Sequence, residues 1–113
     1  MAYDEELANR IRAALGGEEG VVEKQMFGGL AFLIGGHMAV SASGQGGLLV
    51  RCDPAATEAL VAKAHASPFE MRGREMDGWL RVGPEGVATA RDLERWVAIG
   101  VGYARSLPAK GDA

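Results

Sequence analysis

Five charged residues crowd one short stretch of the chain: Glu70, Arg72, Arg74, Glu75 and Asp77. In an extended strand Glu70, Arg72 and Arg74 share one face, while Phe69 and Met71 take the other. Cations at that spacing suit an anionic ligand or an acidic protein surface. With a two-residue turn at Asp77-Gly78, Arg74 stands opposite Arg81, and like charges opposed across a ladder are unfavourable. Either an acidic partner or ligand relieves that pair, or the true turn is longer and the register differs. A solvated strand face balanced by Glu70 and Glu75 is the plainer reading of the same residues.

The other reactive residue types are sparse. Cys52 is the sole cysteine and continues the alternation of Leu48 and Val50, so it packs as a small apolar residue. Its neighbour Arg51 would lower a thiol pKa only if the two side chains met, and adjacent strand residues face opposite ways. His37 and His65 have no ligand spacing between them, and no metal is expected. Gly44-x-Gly46-Gly47 lacks the Lys-Ser/Thr of a phosphate loop and joins strand to strand. No cofactor follows from these residues, and no catalytic group is assigned.

Large apolar side chains beside glycines make the stronger pattern. Met26, Phe27, Met71, Met76 and Trp79 can supply an adaptable contact surface, although core packing is the plainer role for most of them; Phe27 and Met76, next to bends, are the ones expected to be exposed. The residues expected to touch a partner or an anion are Phe27, Arg51, Arg72, Arg74 and Trp79.

Elements of two kinds must position them. Asp4 caps a short amphipathic helix carrying Leu7, Ile11, Ala14 and Leu15, which stops at Gly16-Gly17. Val21 to Phe27, Leu30 to Ile34, Met38 to Ser43 and Leu48 to Cys52 alternate as strands do. Gly28-Gly29 is either a turn or a bulge within one bent strand; the bulge is favoured because Phe27 and Leu30 are strand formers. Asp53-Pro54 opens a second helix with Leu60, Val61 and Ala64 on one face, ending before Pro68. Phe69 to Met71 and Trp79 to Val82 form a second hairpin. Thr89 to Asp92 resembles a capping box opening a last helix striped by Leu93, Trp96, Val97, Gly100, Ala104 and Leu107.

These elements predict an α+β fold in the order α-β-β-β-α-β-β-α: an antiparallel sheet of about five strands, with helices mainly on one face. The 113 residues fit one domain over 1–107 and a tail over 108–113. Seventeen glycines imply many tight turns. A net charge of -3 argues against direct nucleic-acid binding, which depends on neutralising phosphates. The acidic start of the chain and the lack of any run of about 20 apolar residues predict a cytoplasmic protein without a membrane span.

Lys24-Gln25-Met26-Phe27-Gly28-Gly29-Leu30-Ala31-Phe32 and Phe69-Glu70-Met71-Arg72-Gly73-Arg74-Glu75-Met76-Asp77-Gly78-Trp79 carry a resemblance. Together with Tyr3 to Leu7, Leu48 to Arg51, Trp96 and Ala104 to Leu107, they resemble the N-terminal domain of the TfoX/Sxy competence-regulator family over nearly the full length. The resemblance implies a fold similar to the type III secretion chaperone-like one, and a bacterial regulator without catalytic residues. Two-domain members are linked to DNA-uptake competence, acting with other transcription factors, and carry a helical C-terminal domain that has no counterpart before Ala113. The expected function is thus a non-enzymatic regulatory or protein-interaction domain, with homodimerisation through a sheet edge or face. The alternative is a binder of a small anionic ligand, or an enzyme, using Arg72, Arg74 and Arg81.

Overall fold

The computed structural model describes residues 3–26, 28–44, 46–63, 65–71 and 73–108. Helix α1, Glu5–Ala14, starts where the Asp4 carboxylate accepts from the backbone N–H groups of Glu6 and Leu7. That cap satisfies donors the first helical turn leaves over and contributes about 1 kcal/mol. Four strands follow: β1 (Val21–Met26), β2 (Gly29–Ile34), β3 (His37–Ala42) and β4 (Leu48–Arg51). A single tight helical turn, Pro54–Ala56, leads into the short α2, Thr57–Val61. Strands β5 (Ala66–Met71) and β6 (Arg74–Val82) precede α3, Ala90–Ser106, which Thr89 caps by accepting from the N–H of Asp92.

All six strands join one antiparallel sheet in the order β1-β2-β3-β4-β6-β5. The expected order of helix, strands, helix, strands, helix holds, but the sheet has six strands where about five were expected. The extra strand comes from Gly28-Gly29, which is a turn and not a bulge. Met26 pairs with Gly29 across it, and Gly28 takes the positive φ of +75° that a two-residue hairpin requires. A bulge does occur, one strand further on. Phe32 pairs with Val40 but Leu33 with Met38, leaving Ala39 as the extra residue of β3.

The second hairpin also turns elsewhere than expected. Met71 pairs with Arg74, and Gly73 has a φ of +79°. Asp77-Gly78 lies inside β6, where two steps along β5 correspond to five along β6. Gly78 is the hook for α2: its N–H donates to Thr57 Oγ1 at 2.7 Å, and its carbonyl accepts from the N–H of Cys52 at 2.8 Å. Arg74 therefore faces Met71, while Arg81 faces Ser67 on one side and Leu49 on the other. The Arg74–Arg81 opposition does not arise. Helix α2 is shorter than expected and stops at Val61; Ala64 lies outside the described residues. Pro68 joins β5, an edge strand, where a missing N–H costs no ladder bond.

One face of the sheet holds the main core. Leu30, Phe32, Ile34, Val40, Val50, Leu80 and Val82 pack there against Leu7 and Ile11 of α1, Leu60 and Val61 of α2, and Leu93, Trp96, Val97 and Val101 of α3. Each fully buried side chain of this size contributes roughly 1.5–3 kcal/mol. Arg105 of α3 clasps the α1–β1 loop, donating to Glu18 Oε1 at 2.7 Å and to the Glu19 carbonyl at 3.1 Å. His37 opens β3 and is buried, its Nε2 lying 2.6 Å from the carbonyl oxygen of Pro108. No described helix is long and apolar enough to cross a membrane.

Candidate functional site

Alternation sends every second residue of each strand to the side away from the helices. On β2, β3 and β4 these are Ala31, Leu33, Met38, Ser41, Leu49 and Arg51. Ala31, Met38 and Leu49 form a second, smaller buried cluster, ringed by the half-buried Met26, Leu33, Phe69 and Trp79. An apolar patch therefore occupies a sheet face on which none of the three helices sits. Val22, paired with Leu33 on the same side, is 60% exposed.

Arg51 and Trp79 form the edge of this patch. They pair directly between β4 and β6, and the guanidinium carbon lies 5.1 Å from the centroid of the Trp79 ring. The same guanidinium lies 5.5 Å from the ring of Tyr103 on α3. Phe69 completes the group, its ring centroid 6.4 Å from that of Trp79 and tilted by 45°. Both rings thus lie within cation–π range of a single guanidinium.

The charges divide between the two sides of the sheet. Lys24 pairs with Ala31, and Arg51 and Arg81 alternate with Leu80, so all three share the helix-free side. Two residues beyond Phe69 the ladder pairs Met71 with Arg74, which alternation places on that side as well. Glu23 pairs with Phe32 and the Glu70–Glu75 pair falls one step away from Arg74, so these acids take the opposite side. Glu23 is held there by Arg12 of α1, through contacts of 2.6 and 2.8 Å that pull its carboxyl below the usual range. Among regularly paired described residues, the helix-free side carries cations and no acid.

A TfoX N-terminal domain family model matches residues 13–104, nearly the whole chain. The chain belongs to the TfoX N-terminal domain family. No curated protein and no solved structure matches it. The TfoX N-terminal domain family is not known as an enzyme family. Cys52 is 1% exposed, its sulfur 3.8 Å from the Thr57 hydroxyl. Burial pushes its thiol pKa up, the Thr57 contact opposes this, and the charge of Asp53 adds to the rise. Among the described residues no cluster of three His, Cys, Asp or Glu could hold a metal ion.

Of the five expected contact residues, Arg51 and Trp79 are brought together in this TfoX N-terminal domain. Arg74 stands on the same side at the β5–β6 turn, exposed, while Phe27 and Arg72 lie outside the described residues. Tyr103 and the buried floor of Ala31, Met38 and Leu49 were not anticipated. The unbroken apolar runs Leu30 to Ile34 in β2 and Met38 to Val40 in β3 were the available signal for the floor. Tyr103 gave none, since its role depends on where α3 crosses β4.

Proposed function

We propose that this TfoX N-terminal domain is a non-catalytic regulatory module that recognises another protein with the helix-free face of its sheet. One observation carries the reading: a half-exposed apolar patch around Met26, Leu33, Phe69 and Trp79, set among Lys24, Arg51, Arg74 and Arg81, with no acid among the regularly paired described residues of that side. Its occupant is an acidic segment with apolar side chains, whose carboxylates meet these cations while its apolar residues cover the patch. A second copy of the chain fits poorly, because two such faces would bring two sets of cations together. The sheet edges suit self-pairing no better. Symmetric pairing of β1 with its copy in its two longest like-face registers opposes Glu23 to Glu23 or Lys24 to Lys24, and β5 carries Pro68. Membership of a family linked to competence regulators supports a role in transcriptional control, exerted through the partner in the bacterial cytoplasm.

Selection of peptides from a random library on the immobilised domain, with counter-selection on a Leu33→Asp/Trp79→Ala variant, tests this directly. Enriched peptides should combine Asp or Glu with aromatic or aliphatic residues, and should lose binding to Arg51→Ala. No enrichment, or peptides that bind the variant equally well, would remove the helix-free face from the proposal.

A further inference from the structure

A cleft of about 720 Å³ opens on the other side of the molecule, between the loop after α2 and one flank of α3. Its walls are Trp96, Ala98, Ile99 and Gly86, with Lys63, His65, Asp92 and Arg95 as the polar groups. Volume and composition match those of small-molecule sites, which run roughly 300–1,000 Å³ and are apolar with a few convergent polar groups.

The wall at His65 is unusually constrained. His65 is the only non-glycine residue at positive φ among the described residues, at 67°. Its carbonyl accepts from the Gly83 N–H at 2.9 Å, and the Ala66 N–H donates to the Lys63 carbonyl at 3.2 Å. A Cβ on Gly86 would come 2.9 Å from the His65 Cβ, so the absence of a side chain at 86 gives His65 its place. Backbone in this region persists where the surrounding structure determines it. Here it seats the imidazole at the cleft, with Nδ1 3.7 Å from Glu85 Oε1.

We propose that this cleft is a separate binding site for a small organic monoanion: a carboxylate borne on an aromatic or branched aliphatic body. Among the lining residues Lys63 and Arg95 outnumber Asp92 by one positive charge, matching a single carboxylate, while Glu85 beside His65 is 87% exposed and stands outside the lining. The guanidinium of Arg95 supplies paired donors for it. Trp96 and Ile99 take the apolar body, and His65 closes the wall facing α3. The site shares no residue with the helix-free sheet face.

A titration of the ¹⁵N-labelled protein with benzoate, benzamide and phenyl phosphate, read by amide and indole N–H shifts, tests the assignment. Benzoate should shift Trp96, His65 and Gly86 saturably, with a Kd on the order of 10 mM or tighter for a probe of this size. Benzamide, lacking the charge, should bind at least about tenfold more weakly, and Arg95→Ala should weaken benzoate by a similar factor. Lys63 and Arg95 are exposed, so both alanine variants should keep the wild-type melting temperature. Arg51→Ala should leave benzoate binding unchanged, separating this site from the sheet face. No saturable shift, equal binding of benzamide, indifference to both Arg95→Ala and Lys63→Ala, or shifts centred on Trp79 would each overturn the proposal. Preference for phenyl phosphate would overturn the carboxylate assignment.

Discussion

Gly100 of α3 rests directly on the backbone carbonyl of Ala39, the bulged residue of β3. A Cβ at position 100 would overlap that oxygen and stand 2.9 Å from Val40 Cγ1. The bulge raises the strand toward the helix, and the missing side chain lets the helix come down to meet it. Gly100→Ala should destabilise the domain by up to about 2 kcal/mol, since overpacking costs typically 1–3 kcal/mol and the alanine regains nearly 1 kcal/mol of helix propensity. A lower urea midpoint with unchanged slope is the expected result.

Arg51 joins strands β4 and β6 to α3 through two rings. Arg51→Ala should lower stability by about 1 kcal/mol and alter Trp79 fluorescence, and Arg51→Lys should recover only part of the loss. Full recovery by lysine in thermal unfolding would reduce the role to charge alone.

Glu23 and Arg12 tie β1 to α1 in a bidentate pair. The carboxyl pKa is lowered in the folded state, first by this hydrogen bond. The stability it contributes is present above the ordinary carboxylate range and lost as pH falls through the lowered folded value. An NMR titration should show Glu23 protonating at higher pH in Arg12→Ala than in the wild type, and the gap should shrink in high salt.

Cys52 is predicted to be inert. With its folded pKa raised by burial, the thiol stays protonated where an unfolded thiol ionises. Its contribution is complete below the unfolded thiol pKa and declines as pH rises above it. Iodoacetamide at mildly alkaline pH should label the native protein far more slowly than the guanidinium-unfolded one.

Glu70 and Glu75 oppose each other across β5 and β6, both exposed. Glu70→Lys should stabilise the hairpin by about 0.5 kcal/mol at low salt, and by less as salt is added. A drop in melting temperature would show that another contact of Glu70 outweighs the repulsion.

Features that depend on a few neighbouring residues were legible in the sequence. Asp4, Asp53 and Thr89 all cap as expected, because a capping side chain needs only the next two or three backbone N–H groups. Turn placement was harder where glycines compete. Gly73 and Asp77-Gly78 both offer positive φ, and the choice between them is made by β4, which draws Trp79 opposite Arg51 and leaves Gly78 inside β6. Gly28-Gly29 presented the same ambiguity, settled by the pairing of Met26 with Gly29.

The candidate site divides along the same line. Arg51 and Trp79 could each be singled out by type, but their stacking is a product of strand order. The cleft at Trp96 was not legible, since Lys63, His65 and Arg95 come from segments that meet only after α3 docks.

Helix α3 reaches back some distance along the chain, from residues 90–106 to strands completed by residue 51. During synthesis from the N-terminus, Phe32, Val40, Val50 and their neighbours leave the ribosome well before the segment that will shield them. At roughly 5–20 residues per second that interval lasts on the order of seconds, long compared with the formation of the hairpins themselves. The nascent chain thus holds an unshielded greasy surface for a fixed period, and in the cell its yield should depend on holding chaperones until the final helix arrives.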